Sequence, residues 1–217
     1  PDGSYGDAPA SFRKIVSTFC TWANSGSPDG VYKAAKGAYV DDLPTTIFHG
    51  SAASIDDALS GKNKRLKLLA IFNPGITPAN LDKALSDKDT EVRDAAARNP
   101  NATSANLDKA LNDEDRAVRE SAAGNPNATE ANLNKALNDK DTEVRESAAG
   151  NPNATETQID RALSDKDYSV RLIAAGNPNA TETQIDRALN DEDWTVRLEA
   201  ARNPKATEAN LNKALND

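Results

Sequence analysis

Apolar positions recur along this chain at a fixed interval of 26 residues, and polar positions recur with them. One column of the repeat holds leucine, at Leu85, Leu111, Leu137, Leu163, Leu189 and Leu215. An Asn-Pro dipeptide keeps the same interval, beginning at Asn73, Asn99, Asn125, Asn151, Asn177 and Asn203. A fixed period of this length is typical of a solenoid, in which neighbouring units bury one another's apolar faces. Such an array presents an extended surface, which favours binding over catalysis.

The pattern of each unit predicts two short helices. The unit at residues 73–98 illustrates the first of these helices. Thr77 is a suitable N-cap and Pro78 suits the first helical position. Leu81, Ala84 and Leu85 then stand at i, i+3 and i+4, which predicts a narrow apolar stripe on a helix of about nine residues. In two later units a glutamine three residues after the threonine completes a capping box. These pairs are Thr155 with Gln158 and Thr181 with Gln184.

The second helix is predicted between Asp89 and the next Asn-Pro. Asp89 can cap it, and Val92 and Ala96 share one face. Pro100 limits its extension, because the residue before a proline is disfavoured in helical geometry. Both helices are shorter than the roughly 12 to 15 residues at which isolated helices become marginal in water, so their stability must come from stacking. Small alanine columns allow the helix axes to approach closely.

These elements predict an all-α fold, an α/α solenoid (superhelix) of 26-residue two-helix repeats with an N-terminal helical cap. A degenerate first unit extends the array upstream, with Ile55, Leu59, Leu66, Lys67 and Ala70 in the corresponding columns. We therefore assign 47–217 to about six and a half repeats and 1–46 to a capping segment with predicted helices at 9–24 and 28–36. The sequence stops inside the first helix of a further unit. That end suggests a longer natural array, a partner that covers it, or self-association through the open C-terminal repeat.

Arginine occupies one column of the second helices without interruption, at Arg93, Arg119, Arg145, Arg171 and Arg197. The column could grip the phosphates or carboxylates of a ligand. It could also tie the stack together, if each arginine donates to a carboxylate or a turn carbonyl of its own or the next unit. Because every arginine is accompanied by acidic residues, we favour this structural ladder. The Asn-Pro asparagines are likewise expected to cap backbone groups in the turn.

Charge and composition restrict the classes of function. The net charge is −8, and residues 73–217 carry 18 basic and 27 acidic side chains, so the repeats are the acidic part, near −9. This balance disfavours nucleic acid unless one face segregates the basic residues. No apolar run is long enough for a bilayer, and the N-terminal residues lack a signal-peptide pattern. We expect a soluble chain that does not enter membranes and is cytoplasmic, or part of a virion if it comes from a phage.

Candidate chemistry is sparse. Cys20 is the single cysteine and His49 the single histidine, which argues against disulfides, metal clusters and a histidine-based catalytic set. The Asp87 and Asp89 pair lacks the glycine and distant glutamate of a calcium loop, so helix capping accounts for it better. Glycosylation sequons arise where a turn asparagine precedes a threonine cap, at Asn101, Asn127, Asn153 and Asn179. We predict a chain that is not an enzyme and has no cofactor or metal.

Two motifs carry a family resemblance. The segment Asp-x-Asp-x-x-Val-Arg-x-x-Ala-Ala, which recurs in successive units, resembles the second helix of HEAT-like repeats. The following Asn-Pro-Asn-Ala-Thr-x-x-x-Leu is similar to the leucine-rich repeat variant, a helical solenoid despite its name. The resemblance covers residues 47–217 and implies a protein-interaction scaffold, with a few members that bind nucleic acid. The variant family's cysteine-ligated iron–sulfur cluster is not carried over, because only Cys20 precedes the repeats. Near-identical arrays also resemble uncharacterised proteins of tailed phages.

The positions that vary between copies indicate where a partner could bind. Residues that are polar in earlier units become Tyr168, Leu172, Trp194 and Leu198 in two adjacent units. Each tyrosine or tryptophan lies four residues before its leucine, which places both side chains on the same face of their helix, opposite the buried valine columns. This spacing predicts that the four side chains form one exposed apolar patch. Such a patch marks a protein interface, or it covers a neighbouring turn or the N-terminal segment.

The sequence thus predicts a non-enzymatic scaffold for protein–protein interaction or assembly, with a protein partner at Tyr168, Leu172, Trp194 and Leu198. A structural component of a larger particle such as a phage virion is the first alternative. A nucleic-acid-binding solenoid with a segregated basic face is the second.

Overall fold

The computed structural model describes residues 52–214, with the side chains of residues 55–212. The predicted cap at 1–46, together with Cys20, His49 and the last three residues, lies outside this part. Within the described range the chain forms thirteen helices and no strand. The prediction of an all-α repeat fold is therefore confirmed.

The helices alternate between two types that keep the 26-residue interval. The first helices of the units are α1 (Ala52–Ser60), α3 (Pro78–Ala84), α5 (Ser104–Ala110), α7 (Glu130–Ala136), α9 (Glu156–Ala162), α11 (Glu182–Leu189) and α13 (Glu208–Ala214). The second helices are α2 (Lys64–Ile71), α4 (Thr90–Ala97), α6 (Arg116–Ala123), α8 (Thr142–Ala149), α10 (Tyr168–Gly176) and α12 (Trp194–Arg202).

Most first helices are shorter than the nine residues that the apolar stripe predicts, and α5 shows the reason. The helix has 7 residues and ends at Ala110, with Leu111 as its C-cap. The amides of Asn112 and Asp113 then donate to the carbonyls of Lys109 and Ala110, each three residues back. The last turn is therefore tightened into 3₁₀ geometry, which ends the α-helix while Leu111 stays buried.

Side chains cap both helix types. Thr103 accepts a hydrogen bond from the Asn106 amide at the start of α5, and Asp115 accepts one from Ala117 at the start of α6. The two predicted glutamine capping boxes are present at α9 and α11. Asparagine completes the same box at α5 and α7, which the sequence analysis missed. The Asn106 amide oxygen accepts from the Thr103 amide at 3.0 Å, so the shorter side chain also reaches the cap.

The chain divides into two compact units, Pro1–Ala84 and Leu85–Asp217. In the described part of the first, α1, α2 and α3 pack on one another. Ile55, Ala70, Ile71 and Leu81 are fully buried there. Lys67, in the arginine column, is also buried.

In the second compact unit, Leu85–Asp217, the helix pairs of successive repeats stack as an α/α solenoid. Each second helix packs on the next, in the order α4, α6, α8, α10 and α12, and each also packs on a first helix. The core has one valine column and one alanine column that are fully buried, represented by Val118 and Ala122. The first helices α5, α7, α9 and α11 each contribute a fully buried leucine or isoleucine, such as Leu107 or Ile159. Because these side chains are small or slender, second helices can lie close together without aromatic filling.

Candidate interaction surface

Buried asparagine side chains join neighbouring units through their Asn-Pro turns. The Asn125 Nδ2 donates to the carbonyls of Ala97 at 2.8 Å and Asn99 at 3.1 Å, in the preceding unit. Its Oδ1 accepts from the Asn127 amide at 2.9 Å. The same pattern recurs at Asn151, Asn177 and Asn203. These asparagines satisfy turn backbone, as expected, and they additionally bridge units.

Four of the five arginines in the column, Arg93, Arg119, Arg145 and Arg171, are buried and hydrogen-bonded to two units. Arg119 is 5% exposed, and its Nε and Nη2 donate to the two carboxylate oxygens of Asp139 at 2.7 and 3.2 Å. Its Nη1 donates to the carbonyls of Asp113 at 2.9 Å and Glu114 at 3.0 Å. Its Nη2 also contacts Asp141. Equivalent forks link Arg93 to Asp113, Arg145 to Asp165 and Arg171 to Asp191. Each guanidinium thus connects its own unit to the next.

Arg197 differs from the other members of the column. Its side chain is exposed, and its Nη1 donates to the carbonyls of Asp191 at 2.7 Å and Glu192 at 3.0 Å. The residue 20 positions further along, where the other arginines find their aspartate, is Asp217, which lies outside the described residues. For Arg197, the described part of the chain therefore shows only the hydrogen bonds within its own unit, and not an ion pair to the next unit.

The arginine–aspartate pairs also shift the pKa values of both partners. Burial raises the pKa of Asp113, but hydrogen bonds from Arg93 and from the Asp115 amide outweigh it, so the net pKa lies below its ordinary value. The pKa of Asp165 is lowered in the same way, by Arg145 and the Asp167 amide against the effect of burial. The hydrogen bond to Asp113 raises the pKa of Arg93, with burial acting against it. Both partners therefore stay charged at neutral pH.

A second basic column, on the first helices, was not recognised in the sequence analysis. Lys109 donates to the Ser86 hydroxyl at 2.7 Å, and Lys135 donates to the Asp108 carboxylate at 2.7 Å. Arg187 donates to the Ser164 hydroxyl at 2.6 Å. In each case the acceptor belongs to the preceding unit. The signal was available, because a lysine or arginine recurs at 83, 109, 135, 161, 187 and 213.

The four residues of the predicted patch lie on two helices that pack on each other, α10 and α12. Tyr168 is 53% exposed, Trp194 is 64% exposed and Leu198 is 40% exposed. Leu172 is half-buried. Tyr168 and Trp194 are the first residues of their helices, and each leucine lies one turn later. We call these four side chains the apolar patch.

In earlier units, two of the side chains equivalent to Tyr168 and Trp194 bond to the next unit. Arg116 forms an ion pair with Glu143, and the Thr142 hydroxyl donates to Asp167 at 3.1 Å. The Tyr168 hydroxyl and the Trp194 indole make no hydrogen bond to another described residue. At these positions the aromatic rings thus replace polar contacts between units with exposed apolar surface.

Other candidates from the sequence are either engaged elsewhere or outside the described range. The sequon asparagine Asn127 donates from Nδ2 to the carbonyls of Pro100 and Ala102, and Asn153 and Asn179 do the same in their units. Asp89 caps α4, and Asp87 accepts from the Asp89 amide at 2.9 Å. In residues 52–214 no group of three or more metal-binding side chains lies together. None of the described helices has the length and apolar character needed to cross a bilayer.

Comparison with known proteins gives a fold likeness only. No family model matches the chain, and no curated protein matches it. A solved structure described as a leucine-rich repeat variant with a novel repetitive protein structural motif is similar, with a TM-score of 0.49 and 22% identity. The similarity covers 76% of this chain and 76% of that chain. It concerns the helical repeat fold, does not extend to a HEAT-like assignment, and carries no conclusion about function.

Proposed function

We propose that this chain is a non-enzymatic scaffold that binds a protein partner through the apolar patch. The observation that carries the proposal is the exposure of Tyr168, Trp194 and Leu198 side by side on α10 and α12. Aromatic side chains surrounded by a polar surface are the residues that most often dominate protein interfaces. The patch is also confined to two adjacent units, so a general requirement of stacking does not account for it.

The engagement of the basic columns supports a protein partner over nucleic acid. Arg93, Arg119, Arg145 and Arg171 are buried and already bonded to carboxylates, so their guanidinium groups are not offered to phosphates. The basic residues of the first helices donate to the preceding unit. The remaining surface is acidic and repels a phosphate backbone.

The test is capture of proteins from a lysate of the source organism with the immobilised chain, quantified by mass spectrometry. We expect the variant Trp194→Ala plus Leu198→Ala to retain at most about a tenth of the captured partner, because truncating hot-spot residues commonly costs about 2 kcal/mol or more. The variant should fold normally, since substitutions of exposed side chains usually change stability by less than about 0.5 kcal/mol.

A matched control is the variant Thr157→Ala plus Thr183→Ala, which removes two exposed side chains from the first helices α9 and α11. It should capture the partner as well as the unaltered chain does. Equal capture by both variants would show that the patch binds no partner. Equal capture is also the result expected if the chain is only a structural spacer in a larger particle.

A further inference from the structure

The column that contains Leu172 and Leu198 changes character along the stack. It consists of the fifth residue of each second helix from α4 to α12, namely Asp94, Glu120, Glu146, Leu172 and Leu198. We call it the outer column. Because α4, α6, α8, α10 and α12 pack on one another in that order, its acidic part continues directly into the apolar patch. The inference below rests on the proposed function and specifies its partner.

The acidic residues of the outer column differ in how far they are already neutralised. Asp94 accepts from Arg98 Nε at 3.1 Å and from the Ser121 hydroxyl at 2.5 Å. Glu120 and Glu146 are partly exposed, and their carboxylates make no hydrogen bond or ion pair with another described residue. The nearby cation one turn before Glu120 is Arg116, which pairs with Glu143 instead. Two carboxylates on α6 and α8, the two second helices that precede the patch in the stack, are thus without a cationic partner.

The spacing of the column fits an extended chain. Packed helix axes lie about 8–10 Å apart, and an extended polypeptide advances about 3.3 Å per residue. Every third residue of such a chain would therefore meet the next unit. The stretch from Glu120 to Leu198 covers three steps, or about 10 residues of ligand on the same estimate.

We propose that the outer column binds an extended polypeptide segment with two basic residues at one end and two apolar residues at the other, spaced about three residues apart. The lysine or arginine side chains would pair with Glu120 and Glu146, because charge-assisted bonds to unneutralised carboxylates are strong and orient the ligand. The apolar residues would pack on Leu172, Leu198 and the two aromatic rings. The order of the units places the basic end of the segment at Glu120 and Glu146 and its apolar end at Leu172 and Leu198, in either chain direction.

Selection from a phage-displayed library of random peptides about 12 residues long, against the full chain, tests this proposal and does not require the natural partner to be identified. We expect enriched peptides with lysine or arginine separated by about two residues from one another and followed or preceded by apolar residues. Selection against Glu120→Lys plus Glu146→Lys should enrich acidic residues at the same peptide positions. Selection against Trp194→Ala plus Leu198→Ala should lose the apolar preference.

Affinity of an enriched peptide, measured by fluorescence anisotropy, supplies the quantitative test. Glu120→Gln plus Glu146→Gln should weaken binding by at least about tenfold and should reduce its dependence on salt concentration. Thr157→Ala plus Thr183→Ala should leave it unchanged. Circular dichroism and a thermal melt of each variant separate lost binding from lost folding.

The outcomes that count against the proposal can be told apart. Peptides that depend on Trp194 and Leu198 but show no basic preference would overturn the proposed ligand and leave the interaction patch standing. Absence of any enrichment would count against both the proposed ligand and the interaction patch. A basic preference that persists in Glu120→Lys plus Glu146→Lys would place the ligand elsewhere.

Discussion

Arg119 shows how a side chain that usually faces solvent becomes part of the interior. All three of its nitrogens donate, and the acceptors come from its own unit and from the next. Burying a guanidinium is costly unless its hydrogen-bonding capacity is met, and here two carbonyls and the carboxylates of Asp139 and Asp141 meet it. The acidic surroundings of the column in the sequence predicted this type of bonding, but not which unit supplies the carboxylate.

A double-mutant cycle at this rung measures the coupling. Arg119→Met leaves the Asp139 carboxylate nearly buried and without its cation, and we expect a loss of about 3–5 kcal/mol in the free energy of unfolding. Adding Asp139→Asn removes the stranded charge and keeps an oxygen for the Asp141 amide, so it should recover at least about 1 kcal/mol. Urea unfolding followed by circular dichroism provides the free energies.

The exposed pair Arg116 and Glu143 is the control, since both side chains are 47% exposed. The cycle Arg116→Met plus Glu143→Gln should give a coupling no larger than about 1 kcal/mol. Equal coupling in the two cycles would mean that burial of the rung contributes nothing.

At the scale of helices, the junction where a second helix ends decides how closely units can stack. Gly124 and Gly150 are the C-caps of α6 and α8, with φ of −79° and −85°, so neither needs glycine for its backbone. They differ in the space around them. A Cβ on Gly124 would meet only the Glu120 carbonyl at 3.6 Å, whereas one on Gly150 would lie 3.0 Å from the Cγ2 of Ile173.

Substitution by alanine should therefore stabilise the fold at Gly124 but not at Gly150. Gly124→Ala should raise the free energy of unfolding by about 0.4–1 kcal/mol, because alanine restricts the unfolded chain and fits the folded one. Gly150→Ala should be neutral or destabilising, because the β-branched Ile173 in α10 has few alternative rotamers with which to make room. Melting temperatures of the two single variants and the parent decide the point, and equal stabilisation by both would contradict it.

In the second compact unit, the same arginine–aspartate pair recurs from one 26-residue repeat to the next. A change in solution conditions that affects this pair therefore acts on several repeats at once. In a stack of this kind stability is approximately a sum of unit and nearest-neighbour terms. The lowered pKa of Asp113 and of Asp165 means that both carboxylates favour the folded state when ionised. Their contribution is present above the unfolded pKa of about 3.9 and is lost as the pH falls through the folded values.

Acid should accordingly unfold the stack over a defined range. We expect the urea midpoint to change little between pH 7 and about pH 5 and to fall steeply below about pH 4. The variant Asp113→Asn plus Asp165→Asn should be less stable at pH 7 and should lose less stability on acidification. A midpoint that already declines between pH 7 and pH 6 would show that these carboxylates do not control the acid transition.

By itself the amino-acid sequence determined the helical class, the unit length, the caps at Asp89, Thr155 and Thr181, and the apolar patch as a candidate. These follow from local preferences and from a period that repeats, neither of which depends on distant contacts. Only the tertiary structure decided that the lysines and arginines of the first helices donate backwards to the preceding unit. It also decided that Glu120 and Glu146 keep their carboxylates unpaired while Asp94 does not. Those outcomes depend on which side chains of separate units come within hydrogen-bonding distance, and that is set by how the helices stack.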